Sequence, residues 1–354
     1  MAEVLTQPAL CADDLYLAFG ECVLRVRSNS TRLRTGLADY FAHIVCTDVT
    51  PDVDIIAIDR DAPELDINFI DWQPAAGTIH SRISYADLPG GRLVRNTDSG
   101  MMFLQSAHRR IVAGPCVKYQ HQVINFINTQ FMNWLQNRGW LNCAATGVVY
   151  HGRSLAIAGS SESCKSRLML HLLDNHEVCY LGHDHLFMHT GSGQVDVRGT
   201  PTLPRITAES MLAHQQLYSL IPPHPGDFLL QLSAGELWQR EAHYDVPVDR
   251  IYGSGRMKSQ APLAAILILD WQHNSTGELQ LERVKPALNS FLLDVLMSSP
   301  GPFYQYPDGS FQQPNETPDE SAYLDALNNV AVYVARGRAD FSAITDRCLQ
   351  ELLA

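Results

Sequence analysis

The sequence predicts an α/β chain in two parts: a small mixed, sheet-rich domain over residues 1–115 and a larger α/β domain over 116–354. Three observations lead there. Before residue 115, short apolar segments recur between Gly, Pro and Asp, the spacing of strands and turns. Val123, Ile124, Ile127, Phe131, Trp134 and Leu135 then recur at helical spacing up to Gly139. Finally, the apolar run Leu155–Ala158 enters a small-residue turn from which Lys165 and Ser166 open a helix, and Val178–Leu181 follows as a strand.

Taken in order, Leu15–Arg25 predicts a strand pair, Arg32–Phe41 a helix and Val53–Ile58 a strand. Thr78–Tyr85, Arg92–Asn96, Met101–Gln105 and Arg110–Ala113 predict four more strands. In the second part, Cys143–Tyr150 and Leu155–Ala158 read as strands and Lys165–Leu173 as a helix. Strands are expected again at Leu186–Met188, Gln194–Val197 and Leu263–Leu269. Pro300–Pro318 is dense in Pro, Gly and Gln and predicts a loop, whereas Ser321–Ala335 and Phe341–Leu353 carry helical periodicity.

Composition narrows the function classes. With 38 acidic against 26 basic residues, the net charge of -12 repels nucleic-acid phosphates and anionic membranes, and no Lys/Arg run offsets it. Neither nucleic acid nor a membrane is the expected partner. The eight cysteines form no CxxC pair, which argues against a zinc ribbon or a redox pair and for reduced thiols in a cytoplasmic protein. Met1–Leu10 lacks the basic start and apolar stretch of a signal peptide, and Leu263–Leu269 is too short to span a bilayer.

The segment LAIAGSSESCKSRLMLH (155–171) has the order a phosphate-binding loop requires. Backbone N–H groups and a helix N-terminus surround the phosphates, a lysine reaches the outer ones and the next hydroxyl takes Mg²⁺. Gly159, Lys165 and Ser166 meet the pattern GxxxxGK[ST]; Cys164 stands at the second glycine and Glu162 adds a carboxylate inside the loop. The expected cofactor-binding set is Gly159, Ser160, Ser161, Glu162, Ser163, Cys164, Lys165 and Ser166. The plain alternative is a strand–turn–helix whose lysine is solvated.

These residues resemble the HPr kinase/phosphorylase-related family, in particular its HprK-related kinase B branch. HGRSLAIAGSSESCKSRLMLHLL (151–173) is similar to that group's strand, loop and helix, and LGHD (181–184) to the strand end that carries its acidic residue. VDVRGTPTLPRI (195–206), ELWQREAHYDVPVDRIYGSGR (236–256), DLPGGRLVR (87–95) and QVINFIN (122–128) follow the same pattern in order, so the likeness runs from about residue 70 to 271. The implied fold is α/β, a P-loop HPr-kinase-like C-terminal domain behind a smaller mixed α+β N-terminal domain.

The implied activity is an ATP-dependent kinase transferring a phosphoryl group to a hydroxyl of an unidentified protein or small molecule, with ATP and Mg²⁺ as cofactors. A homo-oligomer is left open. In that resemblance Lys165 holds the β/γ-phosphates and Ser166 binds Mg²⁺. Asp184 acts as base, Asp196 helps hold the metal, and Arg256 stabilises the transferring group. Both inner glycines of the family loop are replaced, by Glu162 and Cys164, so a nucleotide-binding pseudokinase or regulatory protein with a degenerate loop is the alternative.

Other candidates compete. By pattern alone Asp270, ending AAILILD, is a better strand-end acid than Asp184. His183, His185 and His189 in HDHLFMH could chelate a metal if the segment is a strand. Cys164, at a helix N-terminus beside Lys165, could be a reactive thiol. Trp238, Tyr244 and Trp271 read as core aromatics rather than base-stacking platforms.

Overall fold

A computed structural model of the chain describes residues 9–47, 49–73, 82–160, 164–191, 193–221, 243–272, 277–288 and 290–354. It divides into two compact units, Met1–Trp140 with Ser299–Pro318, and Leu141–Ser298 with Asp319–Ala354. This division differs from the expected one at 115/116.

In the first unit, β1 (Leu15–Phe19), β2 (Cys22–Ser28), β3 (Val45–Cys46), β4 (Val53–Asp59), β5 (Ile70–Asp71), β6 (Ile83–Leu88), β7 (Gly91–Asn96), β8 (Met102–Ser106) and β9 (Arg110–Gly114) form one sheet. Its order is β3-β1-β2-β4-β9-β8-β7-β6-β5. The β2–β4 and β4–β9 pairs are parallel, and the rest antiparallel. Strict alternation along β1 and β2 turns Leu15, Leu17, Leu24 and Val26 inward. Helices α1 (Thr31–Tyr40) and α2 (Gln120–Gln136) supply Leu33, Leu37, Phe126 and Phe131 to this core. Phe131 meets Phe19 at 5.0 Å between ring centroids. That contact is why the predicted helix belongs with the first sheet rather than opening the second unit.

The Pro-rich segment is not a detached loop either. Asn133 Nδ2 donates to Phe303 O at 2.8 Å, and Asn137 Nδ2 to Gln305 O at 3.2 Å. Arg92, fully buried, donates to Gln312 O at 2.7 Å and Pro302 O at 3.2 Å and pairs with Asp87. Its guanidinium also lies over the Tyr85 and Phe311 rings at 4.5 and 4.8 Å, so a charge buried here is both paired and stacked.

The second unit is built on three parallel strands, β12 (Arg153–Gly159), β18 (Gln260–Gln272) and β20 (Ala331–Arg338). Antiparallel pairings extend them: β11 (Ala145–Tyr150) beside β12, β13 (Cys179–Gly182) beside β11, and β19 (Gln280–Val284) beside β20. The first residues of β18 pair instead with β15 (Val195–Gly199), followed by β14 (Leu186–Thr190) and β10 (Leu141–Cys143). A short pair, β16 (Arg205–Thr207) and β17 (His243–Asp245), stands apart.

Helices cover both faces of this mixed sheet. Along β12, Leu155 and Ile157 face α3 (Lys165–Leu173), while Ala156 and Ala158 face the other side. On the α3 side lie also α4 (Ala208–Leu212), α5 (Val248–Ile251) and α8 (Phe341–Arg347), with α6 (Ser290–Leu296) and α7 (Glu320–Leu327) opposite. Burial on both faces explains the near-continuous apolar run of the parallel strands. Each fully buried Leu or Ile contributes about 1.5–3 kcal/mol relative to exposure.

One element differs in kind from its expectation. The predicted helix Ser321–Ala335 ends at Leu327, and the residues from Ala331 form β20. AVYVA alternates with β-branched and aromatic residues, and its pairing with the buried strand β18 overrides a helical count. Among the described residues, no helix is long and apolar enough to cross a membrane.

Candidate functional site

The end of β12 and the start of α3 place Gly159, Ser160, Cys164, Lys165 and Ser166 at the C-terminal edge of the parallel strands, where open α/β sheets bind their ligands. Gly159 leaves the strand with φ 148°, a conformation that side-chain-bearing residues avoid. Ser161, Glu162 and Ser163 lie outside the described residues. Cys164 re-enters with φ 59° in the left-handed region and precedes α3 without a side-chain capping hydrogen bond. A cysteine thus takes the backbone shape a glycine would adopt there, at a cost of about 1–2 kcal/mol.

Lys165, half-buried, turns its ammonium back onto the loop, donating to Gly159 O at 2.8 Å and Ser160 O at 3.1 Å. Burial lowers its pKa, and the negative charge of Asp184 works against that. Burial and Glu209 raise the Cys164 thiol, outweighing Arg167 and Lys165. The thiol is therefore less ionised than a free cysteine, which corrects the reactive-thiol reading.

Ser166 shows what the sequence did not. Its Oγ lies 2.7 Å from His183 Nε2, and His183 Nδ1 lies 3.2 Å from Asp184 Oδ2. Protein crowded around the Asp184 turn pulls its carboxyl upward even though the side chain reaches solvent. The His183 hydrogen bond and the positive charges of His183, His185 and Lys165 outweigh it and bring the pKa down to about 2. An ionised carboxylate only accepts, so Nδ1 carries the shared proton, and in the neutral ring Nε2 accepts from the Ser166 hydroxyl. The result is a hydroxyl–imidazole–carboxylate chain beside a lysine. His183 is buried, and Asp184 is exposed with φ 64°.

Three described non-glycine residues have positive φ: His151, Cys164 and Asp184. His151 belongs to the β11–β12 hairpin turn, where such angles are ordinary. Of the other two, Cys164 immediately precedes Lys165 and Asp184 lies within electrostatic reach of it. Close packing supports this corner, since a Cβ on Gly199 of β15 would fall 1.7 Å from Leu181 O, at the end of the strand that leads to His183. Backbone strain of this kind persists only where the surroundings over-determine it, and it clusters at functional sites.

The remaining predicted residues are placed elsewhere. Arg256 is buried against backbone carbonyls. It donates through Nε to Val178 O at 2.6 Å and through Nη2 to Leu173 O and Asn175 O, both at 2.8 Å; Nη1 reaches Tyr252 O at 3.1 Å. Leu173 ends α3, about 12 Å from the Lys165 turn at 1.5 Å per residue. Arg256 clamps the far end of the helix, a structural role rather than the expected contact with a transferring group.

Asp196 sits on β15 opposite His189 and accepts from Gln194 Nε2 at 3.1 Å. It lies three ladder positions, about 10 Å, from the Leu186–Gly199 pair that follows the His183 turn. Among the described residues its carboxylate is engaged by Gln194, and no contact joins it to the Ser166 hydroxyl.

The competing candidates resolve by geometry. Asp270 follows Leu269, the residue paired with Gly159, yet alternation puts it on the face away from α3. There it pairs with Arg336 at 3.0 Å, and Arg336 in turn with Glu282. Residues 183–185 form a tight turn rather than a strand. His183 faces Ser166 while His185 Nδ1 meets Asn142 Oδ1 at 3.2 Å, so the two imidazoles do not converge on one metal. All eight cysteines are free thiols. Trp271 is buried in the core and Tyr244 packs against it, as expected; Trp238 lies outside the described residues.

No family model matches the chain, and no curated protein does. Among solved structures, the Hpr(Ser) kinase/phosphatase from Coxiella burnetii is similar over 58% of this chain and 86% of that one, at 10% identity and a TM-score of 0.30.

Proposed function

We propose that the second unit binds a nucleoside triphosphate at Gly159–Ser166 and transfers its terminal phosphoryl group to an acceptor hydroxyl. One observation carries the reading: Lys165's ammonium is folded onto the loop carbonyls, directly after left-handed Cys164 and within electrostatic reach of Asp184. A lysine held this way exchanges carbonyl partners for phosphate oxygens without moving the helix.

The donor set also suits Mg²⁺, a hard cation that keeps most of its waters and takes one or two protein oxygens. Because Ser166 gives its hydrogen to His183, both lone pairs of Oγ are available to a cation. When bound, the ion would supply charge neutralisation between phosphates. Asp184, exposed at the turn, orients the acceptor hydroxyl. A carboxylate with so low a pKa is a weak base, so the acceptor's proton passes to a lone pair of Ser166 Oγ as Ser166 gives its own hydrogen to His183 Nε2, and the imidazole is the base reached through that hydroxyl. The expected base thus becomes the orienting group, and the histidine before it the base.

A non-catalytic nucleotide binder is favoured by a separate observation, the complete engagement of Arg256 with backbone carbonyls. Turnover of γ-labelled Mg-ATP by the full chain separates the two. The kinase reading expects ADP formation that falls about 100-fold or more in His183→Ala, the scale of a lost general base, with nucleotide affinity retained. Binding with equal, background turnover in both proteins would leave only the non-catalytic reading.

A further inference from the structure

At the opposite end of α3 the structure gathers a second set of chemically active side chains. His171 lies in the helix's last turn and Asp174 is its C-cap, so their three-residue spacing puts both on one face. His214, just before the short 3-10 helix Gln215–Leu220, packs its ring against that face. Its centroid is 4.6 Å from that of His171, and its Nδ1 lies 3.6 Å from Asp174 Oδ2. One ligand atom from each residue can be chosen so that all lie within 4.8 Å of one another.

We propose that His171, Asp174 and His214 form a binding site for a divalent transition metal of the zinc type. Two imidazoles and one carboxylate are a ligand set such ions take, with the fourth position left to water. Tetrahedral ligands about 2.0–2.1 Å from the ion are about 3.3 Å apart, so small side-chain rotations close the present spacing. A second observation points to a ligand. His214 is 4% exposed, and its Nε2 is buried without a hydrogen-bond partner among the described residues. The Tyr252 hydroxyl, within electrostatic reach of Asp174, is likewise buried without a partner and suits a metal-bound water.

The charge environment admits a cation. The C-terminal end of a helix carries partial negative charge. The nearby Arg167 stacks on Phe341 at 4.7 Å and pairs with Glu209 at 3.7 Å. His171 stacks on the same Phe341 ring, which fixes its plane. The metal would secure the far end of the helix whose first turn holds Lys165 and Ser166, yet its binding requires no nucleotide.

The test is titration of the chelator-treated full chain with Co²⁺, followed by its visible absorption, with Zn²⁺ as competitor. The expected result is one equivalent of tetrahedral Co²⁺ displaced by Zn²⁺. Affinity should fall about 10–100-fold or more in His214→Ala and His171→Ala, and be unchanged in His151→Ala. Absence of a tetrahedral spectrum in the folded wild-type chain overturns the proposal. So does a spectrum that survives both substitutions, and so does one lost in His151→Ala. Because the wild-type chain alone can refute it, misfolding of a variant does not shelter the idea.

Discussion

Replacing Arg256 by Ala should unfold the second unit more readily without acting through phosphate chemistry. The side chain makes four hydrogen bonds to carbonyls of Val178, Leu173, Asn175 and Tyr252, and it is 9% exposed. Bonds from a charged donor contribute about 1.5–3 kcal/mol each, but they are not additive, and water would re-solvate the outer carbonyls. Truncation also leaves a cavity and unpaired acceptors at the end of α3, so the net loss should be about 3–5 kcal/mol. For a domain of this size class, each kcal/mol shifts the midpoint by about 2–4 °C, which gives a drop of about 6–20 °C. Differential scanning calorimetry reads it. Arg256→Lys, which recovers at most part of the fork, should fall in between. A midpoint within 2 °C of wild type, together with lost ATP turnover, would refute the structural assignment and restore a catalytic arginine.

Three further outcomes follow from the geometry. The Asp184 carboxyl has a folded pKa of about 2 against an ordinary 3.8, so its contribution to stability is present above pH 3.8 and lost as pH falls towards 2. The difference in urea midpoint between wild type and Asp184→Asn should close over that window; a gap independent of pH would mean the His183 contact is not formed. At Cys164, Gly relieves the left-handed strain but frees the unfolded chain, so thermal stability should change by less than about 1 kcal/mol. Cys164→Val should instead lose about 1–2 kcal/mol, and equal effects of the two would deny the positive φ. In the first unit, Arg92→Met should cost about 2–4 kcal/mol by leaving Asp87, Gln312 O and Pro302 O without their donor. It should also expose 299–318 to protease, and unaltered cleavage there would contradict the anchoring.

The sequence carried the strands and helices well where one physical signal dominated. LYLAFGECVLR shows its hairpin in alternation, and the strand–turn–helix at 155–173 shows itself in the order of apolar, small and charged residues. It misled where tertiary pairing decided. AVYVA after Leu327 is a strand because β18 offers a parallel edge, which no local window records. Pro300–Pro318 is ordered by Arg92 and Asn133, whose contacts span more than 160 residues. At the site, Lys165 and Asp184 could be named from spacing and resemblance. The Ser166–His183 bond could not, because residues 17 apart meet only when β13 returns beside α3. The buried status of Arg256 was invisible for the same reason, since its acceptors at Val178, Leu173 and Asn175 lie 78, 83 and 81 residues away in the chain.

The proposed nucleotide site rests on Lys165, whose ammonium would trade the Gly159 and Ser160 carbonyls for phosphate oxygens. Isothermal titration of Mg-ATP into wild type and Lys165→Ala tests it most directly. Saturable heat is expected for wild type, with affinity weakened about 100-fold or more in the variant, as about 3 kcal/mol of charge-assisted contact would require. The wild-type affinity should also fall as pH rises through the lowered pKa of Lys165, below its ordinary 10.5. No heat from folded wild type at millimolar Mg-ATP, or equal affinity in both proteins, would contradict it.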